Sequence, residues 1–309
     1  MTTRCSSRNL ASSPSHEPVL VAEVLEHLTP ARGGVFVDCT VGLAGHAVPL
    51  LEAGATRLIG LDRDLAALAI AREQLARFGD RVELVHTDYR EFAPVLDARG
   101  VVSVAGVLAD LGVSSLQLDA PGRGFSFRRD DPLDMRMDTS AGPTAADLIG
   151  EAGERTLADV IYQFGEERHA RRVARFIVEA RKAGRIETTG QLADVVRRAV
   201  PRKGFVRIDP ATRTFQAIRI WVNRELDGLD GFVRDVARRL DPGGRMAVIT
   251  FHSLEDRIVK HTLRQIQSDG DIGLMVLTKR PVVPTEAEVE RNPRARSAKL
   301  RVAERAEQV

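Results

Sequence analysis

Cysteine is nearly absent from this 309-residue sequence, which has only Cys5 and Cys39, and two thiols so placed build neither a disulfide framework nor a zinc site. A reducing cytoplasm is the compartment this implies. Long apolar runs are also missing. No stretch approaches the roughly 20 residues that a helix needs to cross a bilayer, so no membrane segment is expected. The first fifteen residues, MTTRCSSRNLASSPS, lack the apolar core of a secretory signal and read as a disordered tail. There is no internal repeat and no further low-complexity segment.

What remains is the composition of an ordinary soluble globular protein, 43% hydrophobic and 28% charged, with a length that suits one large domain and a smaller one. The net charge of +2 conceals an asymmetry. Residues 168 to 207 hold twelve Arg/Lys against three Asp/Glu, which leaves the rest of the chain acidic. Such a patch favours a phosphate-bearing partner, although solvated arginine faces on helices are the ordinary alternative.

Hydrophobic periodicity alternates between the two regular forms. Helical spacing over 18–28 precedes a strand at 34–39, and helices over 43–53 and 65–78 alternate with strands over 56–61 and 81–86. A fourth strand, 101–109, delivers Asp110 to its carboxyl end. This alternation predicts a parallel, doubly wound α/β sheet. Residues 114–215 show helical stretches at 156–164, 166–183 and 189–199 but no convincing strand, the mark of an inserted helical domain. The α/β pattern resumes with a long helical region over 212–240, a turn at Asp241-Pro-Gly-Gly244 and a strand at 245–251. A helix over 254–267 and strands over 273–278 and 298–302 bring the total to about seven strands.

Chemistry gathers where strands end. Asp38 closes the first strand, and the turn after it has glycines at 42 and 45 that let the backbone approach a ligand. The turn does not match the G-x-G-x-x-G dinucleotide fingerprint, so a cofactor without a pyrophosphate fits better. Asp62, closing the second strand, can accept hydrogen bonds from both hydroxyls of a ribose, while helix capping is the structural alternative. With Asp110, these features suggest S-adenosylmethionine. The stretch from Asp110 to Asp138 carries two phenylalanines, four arginines and six aspartates, which reads as a binding loop rather than a hairpin or linker. Its Arg128, Arg129 and Arg136 either bind phosphate or pair with Asp130, Asp131 and Asp134. In His252-Ser-Leu-Glu-Asp256, Ser253 is expected to cap a helix with Asp256 three residues on, and Trp221 to pack on a helix with Phe215 and Ile218.

From His16 onward the chain resembles the MraW-type family of 16S ribosomal RNA cytosine-N4 methyltransferases. The resemblance is carried by HEPVL at 16–20, GVSSLQLD at 112–119, RGFSF at 123–127, PLDMRMD at 132–138, YQFGEER at 162–168, PATRTFQAIRIWVN at 210–223, FHSLEDRIVK at 251–260 and NPRARSAKLR at 292–301. It implies a seven-stranded, Rossmann-like class I methyltransferase sheet built from 16–113 and 216–309, with 114–215 as an inserted all-helical substrate-recognition domain. It further implies a cytoplasmic enzyme that methylates the exocyclic N4 of a cytidine in the decoding region, with S-adenosylmethionine as cofactor, 16S rRNA in the small ribosomal subunit as partner, and no metal. Monomer and homodimer both stay open.

Carried over by position, Ala44, Gly45 and His46 contact the methionine part of the cofactor and Asp62 its ribose, while Tyr89, Asp110 and Gln117 fall on further cofactor-contacting positions. The family usually has glycine where this chain has Ala44, and alanine is acceptable if its φ is negative. Asp110 is also the candidate catalytic acceptor for an N4 proton, with orientation of the cofactor's amino group as the alternative. An extruded base is usually held by aromatic faces, for which Phe125 and Phe127 are candidates unless they pack into the loop's own core. His252 is a candidate wall of the substrate pocket. Arg197, Arg198, Arg202, Lys203 and Arg207 are the candidate RNA-phosphate contacts, with NPRARSAKLR adding a basic edge. Two other readings stand beside the enzyme: a ribosome-binding protein that keeps the cofactor fold without turnover, and a nicotinamide-dependent oxidoreductase, disfavoured by the missing third glycine.

Overall fold

A computed structural model describes residues 17–201 and 209–307. The expected N-terminal tail and Arg202, Lys203 and Arg207 lie outside the described residues. The chain runs α1 (Val21–Leu28), β1 (Val35–Asp38), α2 (Ala47–Glu52), β2 (Arg57–Asp62), α3 (Leu65–Leu75), β3 (Val82–His86), α4 (Phe92–Asp97) and β4 (Val104–Asp110). Six helices follow without a strand among them: α5 (Ser115–Asp119), α6 (Ala145–Glu151), α7 (Glu154–Gly165), α8 (Ala170–Ala183), α9 (Thr189–Ala199) and α10 (Ala211–Asn223). The remainder is α11 (Leu229–Arg239), β5 (Leu240–Thr250), α12 (Ser253–Asp269), β6 (Leu274–Val276), α13 (Glu286–Arg291) and β7 (Lys299–Arg305).

The seven strands make one sheet in the order β3-β2-β1-β4-β5-β7-β6. The first five are parallel, as the alternation predicts, and β7 enters between β5 and β6 and runs antiparallel to both. Strand direction leaves no trace in hydrophobic periodicity, so the reversal is invisible in the sequence. Successive residues of each strand serve opposite faces. Val37, Ile59 and Val107 pack under α4, α11 and α12, whereas Phe36, Leu58 and Leu108 pack against α1, α2 and α3. Asp241-Pro-Gly-Gly244 is not a turn ahead of β5 but a bulge within it. Val104 pairs with Leu240 and Gly106 already with Arg245, and Gly243 takes φ +72°. The long helical region expected over 212–240 is two helices, separated where Arg224 (φ +51°) and Gly228 (φ +67°) turn left-handed. Likewise α8 starts at Ala170 rather than Glu166, because Glu166 (φ +50°) ends α7.

The six-helix stretch has its own apolar core, centred on Ile149, Leu157, Ile161, Val173, Ile177, Leu192 and Val196, and running on through Ile218, Trp221 and Val222. Two polar clamps fix it over the carboxyl end of β2. Arg63, just past the strand, donates to the backbone and side-chain oxygens of Asn223 at 3.0 and 3.1 Å, while Asn223 bridges Met137 N–H and the Met135 carbonyl. Arg123 reaches back to the buried Asp64 at 2.8 Å. These partners are buried or partly buried, so breaking one clamp leaves desolvated polar groups without partners.

Candidate active site

The carboxyl ends of β1, β2 and β4 form the floor of a cavity of about 760 Å³, within the range of small-molecule sites. Asp62 and Asp110 line it. Asp38 pairs in register with Gly60 and Leu108, two residues short of those acids, so it sits beneath the floor and is 1% exposed. Burial pushes the Asp38 and Asp110 carboxyls up to about 7 and Asp62 to about 6, against backbone N–H bonds that favour the charged forms of Asp38 and Asp62.

Asp62 is shaped to accept. Its Oδ2 takes Gly42 N–H and its Oδ1 takes Asp64 N–H, both at 2.8 Å, leaving a lone pair on each oxygen for a diol. Asp110 is different. Its Oδ1 is buried and has no hydrogen-bond partner, and its Oδ2 lies 3.8 Å from His46 Nδ1. His46 donates from Nε2 to the Val19 carbonyl at 2.8 Å, and burial holds its pKa below the ordinary value. Its Nδ1 is therefore a lone pair facing Asp110, not a counter-ion. A cationic or N–H-bearing group is what the Asp110 oxygen lacks. The acceptor set fits S-adenosylmethionine, whose ribose diol suits Asp62 and whose ammonium suits Asp110.

Gly45 and His46 line the cavity, but Ala44 does not. It is buried in the core beside α1 and α2 with φ +67°, so the negative φ that would suit alanine is not adopted. Gly45 is required for a reason the motif does not reveal: a Cβ there would stand 2.9 Å from Pro18 Cβ. Tyr89 lines the cavity with its ring braced edge-on against Phe232 at 4.8 Å, and its hydroxyl donates to the Glu225 carbonyl at 3.0 Å. Gln117 also lines it, but its amide is already used, accepting from Ser114 N–H and donating to Asp64, both at 3.0 Å. The α5 capping box thus ties the loop after β4 to the start of α3.

Phe125 and Phe127 are not brought to the cavity in this conformation. Both pack into the helical core, Phe127 edge-on to Phe215 at 4.7 Å, because the loop folds its apolar residues inward with Leu133, Met135 and Met137. His252 is not in the lining either. Since β5 stops at Thr250, His252 rather than Ser253 caps α12, with Glu255 three residues on, and Ser253 Oγ donates to Glu166 at 2.9 Å. Asp256, expected in that box, instead pairs with Arg301 at 2.6 Å and Lys299 at 3.4 Å, which turns that end of NPRARSAKLR toward α12. Glu255 faces the cavity. Burial pushes its carboxyl up, but His252, Arg219 and the Phe251 N–H outweigh this and hold it below the usual range.

Glu225, His252 and Glu255 place ligand atoms within 4.8 Å of one another, the geometry of a small metal site. Arg219 already engages both Glu225 oxygens, at 2.8 and 2.7 Å, so Glu225 is held in an ion pair as it stands. Of the expected phosphate contacts, Arg197 is tied to Asp194 and Asp209, both at 3.0 Å, and lies over the Phe127 ring. Arg198 is exposed and among the described residues reaches the Asp194 carbonyl at 3.3 Å. Arg136 pairs with Asp134 at 2.8 Å and Arg129 stands 3.6 Å from Asp131, as ordinary pairing of a mixed charge run predicts. The mouth of the cavity is framed by Glu17, Asp119, Arg128, Arg291, Asn292 and Arg294, residues that no spacing in the sequence would group.

The profile of the MraW methylase family matches residues 13–306. Curated relatives bearing the name ribosomal RNA small subunit methyltransferase H include one from Sorangium cellulosum, 54% identical, with 94% of this chain and 90% of the relative covered. Another, from Geobacter sulfurreducens, is 52% identical over 94% of this chain and 99% of its own length. A third, from Deinococcus radiodurans, is 54% identical over 96% and 92%.

Proposed function

The chain belongs to the MraW methylase family and is a methyltransferase, and from that premise we propose that it moves a methyl group from S-adenosylmethionine to the exocyclic N4 of one cytidine in the decoding region of 16S rRNA, within the small ribosomal subunit. The observation that carries this reading is the buried, unpartnered Oδ1 of Asp110 on a cavity floor shared with Asp62. The names of the relatives, each a small-subunit ribosomal RNA methyltransferase, supply the acceptor class.

Bound there, the cofactor supplies an electrophilic methyl on a sulfonium. Asp62 holds the ribose hydroxyls, the Gly45–His46 turn meets the methionine end, and Tyr89 offers its braced ring to the adenine side. A cytosine amine is a poor nucleophile because its lone pair is delocalised into the ring. Asp110, one oxygen of which holds the cofactor's ammonium, offers the other as acceptor for an N4 proton, building electron density on nitrogen as the new C–N bond forms and the C–S bond breaks. Alignment of the amine supplies most of the rate. We assign 114–215 the task of recognising the substrate, with its basic helices as the RNA face and Arg198, Arg202, Lys203 and Arg207 as phosphate contacts; Arg197, already paired, serves more as a brace. Since Phe125 and Phe127 are packed inward, those rings do not receive the extruded base in this conformation.

Equilibrium dialysis with labelled S-adenosylmethionine, followed by transfer to small ribosomal subunits, tests the proposal. Binding with transfer supports it. Binding of both cofactor and subunit without transfer would leave a ribosome-binding protein, and binding of NADH instead would make it an oxidoreductase.

A further inference from the structure

We propose that Arg291 and Arg294 at the cavity mouth grip the RNA backbone beside the extruded base, and that Glu17 and Asp119 hold their places until phosphates displace them. This rests on the function proposed above. Arg294 pairs with Asp119, the last residue of α5, at 2.6 Å, and Arg291 with Glu17 at 3.3 Å, so each pair joins the C-terminal segment to another part of the rim. Both pairs are open to solvent, with side chains 45–62% exposed. Pairs of this kind hold weakly and yield to a better partner. A phosphate is that partner, because a guanidinium engages it bidentately with a charge-assisted bond.

The segment that carries the two arginines is itself firmly seated. The buried Glu288 accepts from Leu20 N–H at 2.8 Å, and Asn292 donates to the Glu17 carbonyl at 3.0 Å. The arm is thus fixed while its cationic ends stay free to exchange partners. Beside them on the rim, Arg128 is exposed and among the described residues pairs with no carboxylate. A base can enter the cavity only if its own backbone passes the mouth, which brings the flanking phosphates to these guanidinium groups. Two acids standing on two of the three rim arginines are placeholders for those phosphates.

The test is RNA binding by the full-length protein to a 16S rRNA fragment over a series of KCl concentrations, for wild type, Arg294→Ala, Asp119→Ala and the double variant. Melting curves report whether each variant folds. The proposal predicts opposite signs. Arg294→Ala weakens binding several-fold and lowers the log–log salt slope by about 0.7–0.9, the share of one phosphate contact. Asp119→Ala tightens binding, and the double variant matches Arg294→Ala. Equal effects of the same sign, or none, would make the pair a structural latch and overturn the proposal. If wild type binds and methylates no ribosomal RNA, the function proposed above fails, and this inference fails with it.

Discussion

Replacing Asp110 with asparagine is expected to stabilise the free protein while crippling it. Burial raises this carboxyl from 3.8 to about 7, and its inner oxygen has no partner. The folded state therefore binds a proton that the unfolded state has released between pH 4 and 7, so the group costs stability as pH rises through that window, and the full cost stands above pH 7. That rise corresponds to a ceiling of about 4 kcal/mol. Because the side chain is 25% exposed to the cavity, the cost retained is roughly 1–2 kcal/mol. An amide of the same shape avoids the charge and can donate to His46 Nδ1. The melting temperature of Asp110→Asn should exceed that of wild type by about 2–3 °C at pH 8, and by less at pH 5. Asp38 is raised by the same burial and further by the Asp110 charge, so removing that charge also relieves Asp38 and acts in the same direction. The same substitution removes a charge-assisted bond to the cofactor, weakening S-adenosylmethionine by roughly 10- to 100-fold. Calorimetry at both pH values, with and without cofactor, measures both effects. A lower melting temperature for the variant at pH 8 would show that Asp110 is a stabilising partner in the free protein and refute the reasoning.

Cofactor affinity in wild type should rise between pH 6 and 8 as Asp62 and Asp110 ionise, and isothermal titration across that range checks it; a flat profile would mean that neither charge is used. Gly45→Ala should destabilise by about 1–3 kcal/mol through the close approach to Pro18, whereas Ala44→Gly, which relieves a left-handed alanine but gives up a buried methyl, should stay within about 1 kcal/mol of wild type. Chemical denaturation compares the two. His252→Ala should cost about 1–3 kcal/mol by removing the α12 cap and one of the partners of the buried Glu255, and a surface-like change under 0.5 kcal/mol would contradict the network described.

Strand ends were legible because chemistry and periodicity coincide there: Asp62 and Asp110 fall where alternation stops and a loop begins, and each lines the cavity. Asp38 obeys the same rule but sits two residues deeper in register, a distance only strand pairing sets. The short helices α5 and α6 were hidden because a few apolar residues in a charged loop carry no period, although the Ser114 and Thr144 caps were in plain view. The aromatic content of that loop pointed to ligand contact, yet Phe125 and Phe127 serve the helical core, since burying two rings is worth more to a long loop than exposing them. Glu255 is hard to find in the sequence because periodicity carries β5 to Phe251, which puts the cap at Ser253, whereas the strand ends at Thr250 and His252 is the cap. The arginines of the mouth come from a segment far from Glu17 and Asp119 in sequence, and only the fold brings them together.

The most direct measurement is mass spectrometry of nucleosides and mapped fragments of 16S rRNA from cells lacking this protein, and from the same cells supplied with wild type or Asp110→Asn. The account predicts that N4 methylation of one decoding-region cytidine disappears, returns with wild type and does not return with the variant. Methylation that persists in the deleted cells, or a loss confined to some other nucleotide, would contradict it.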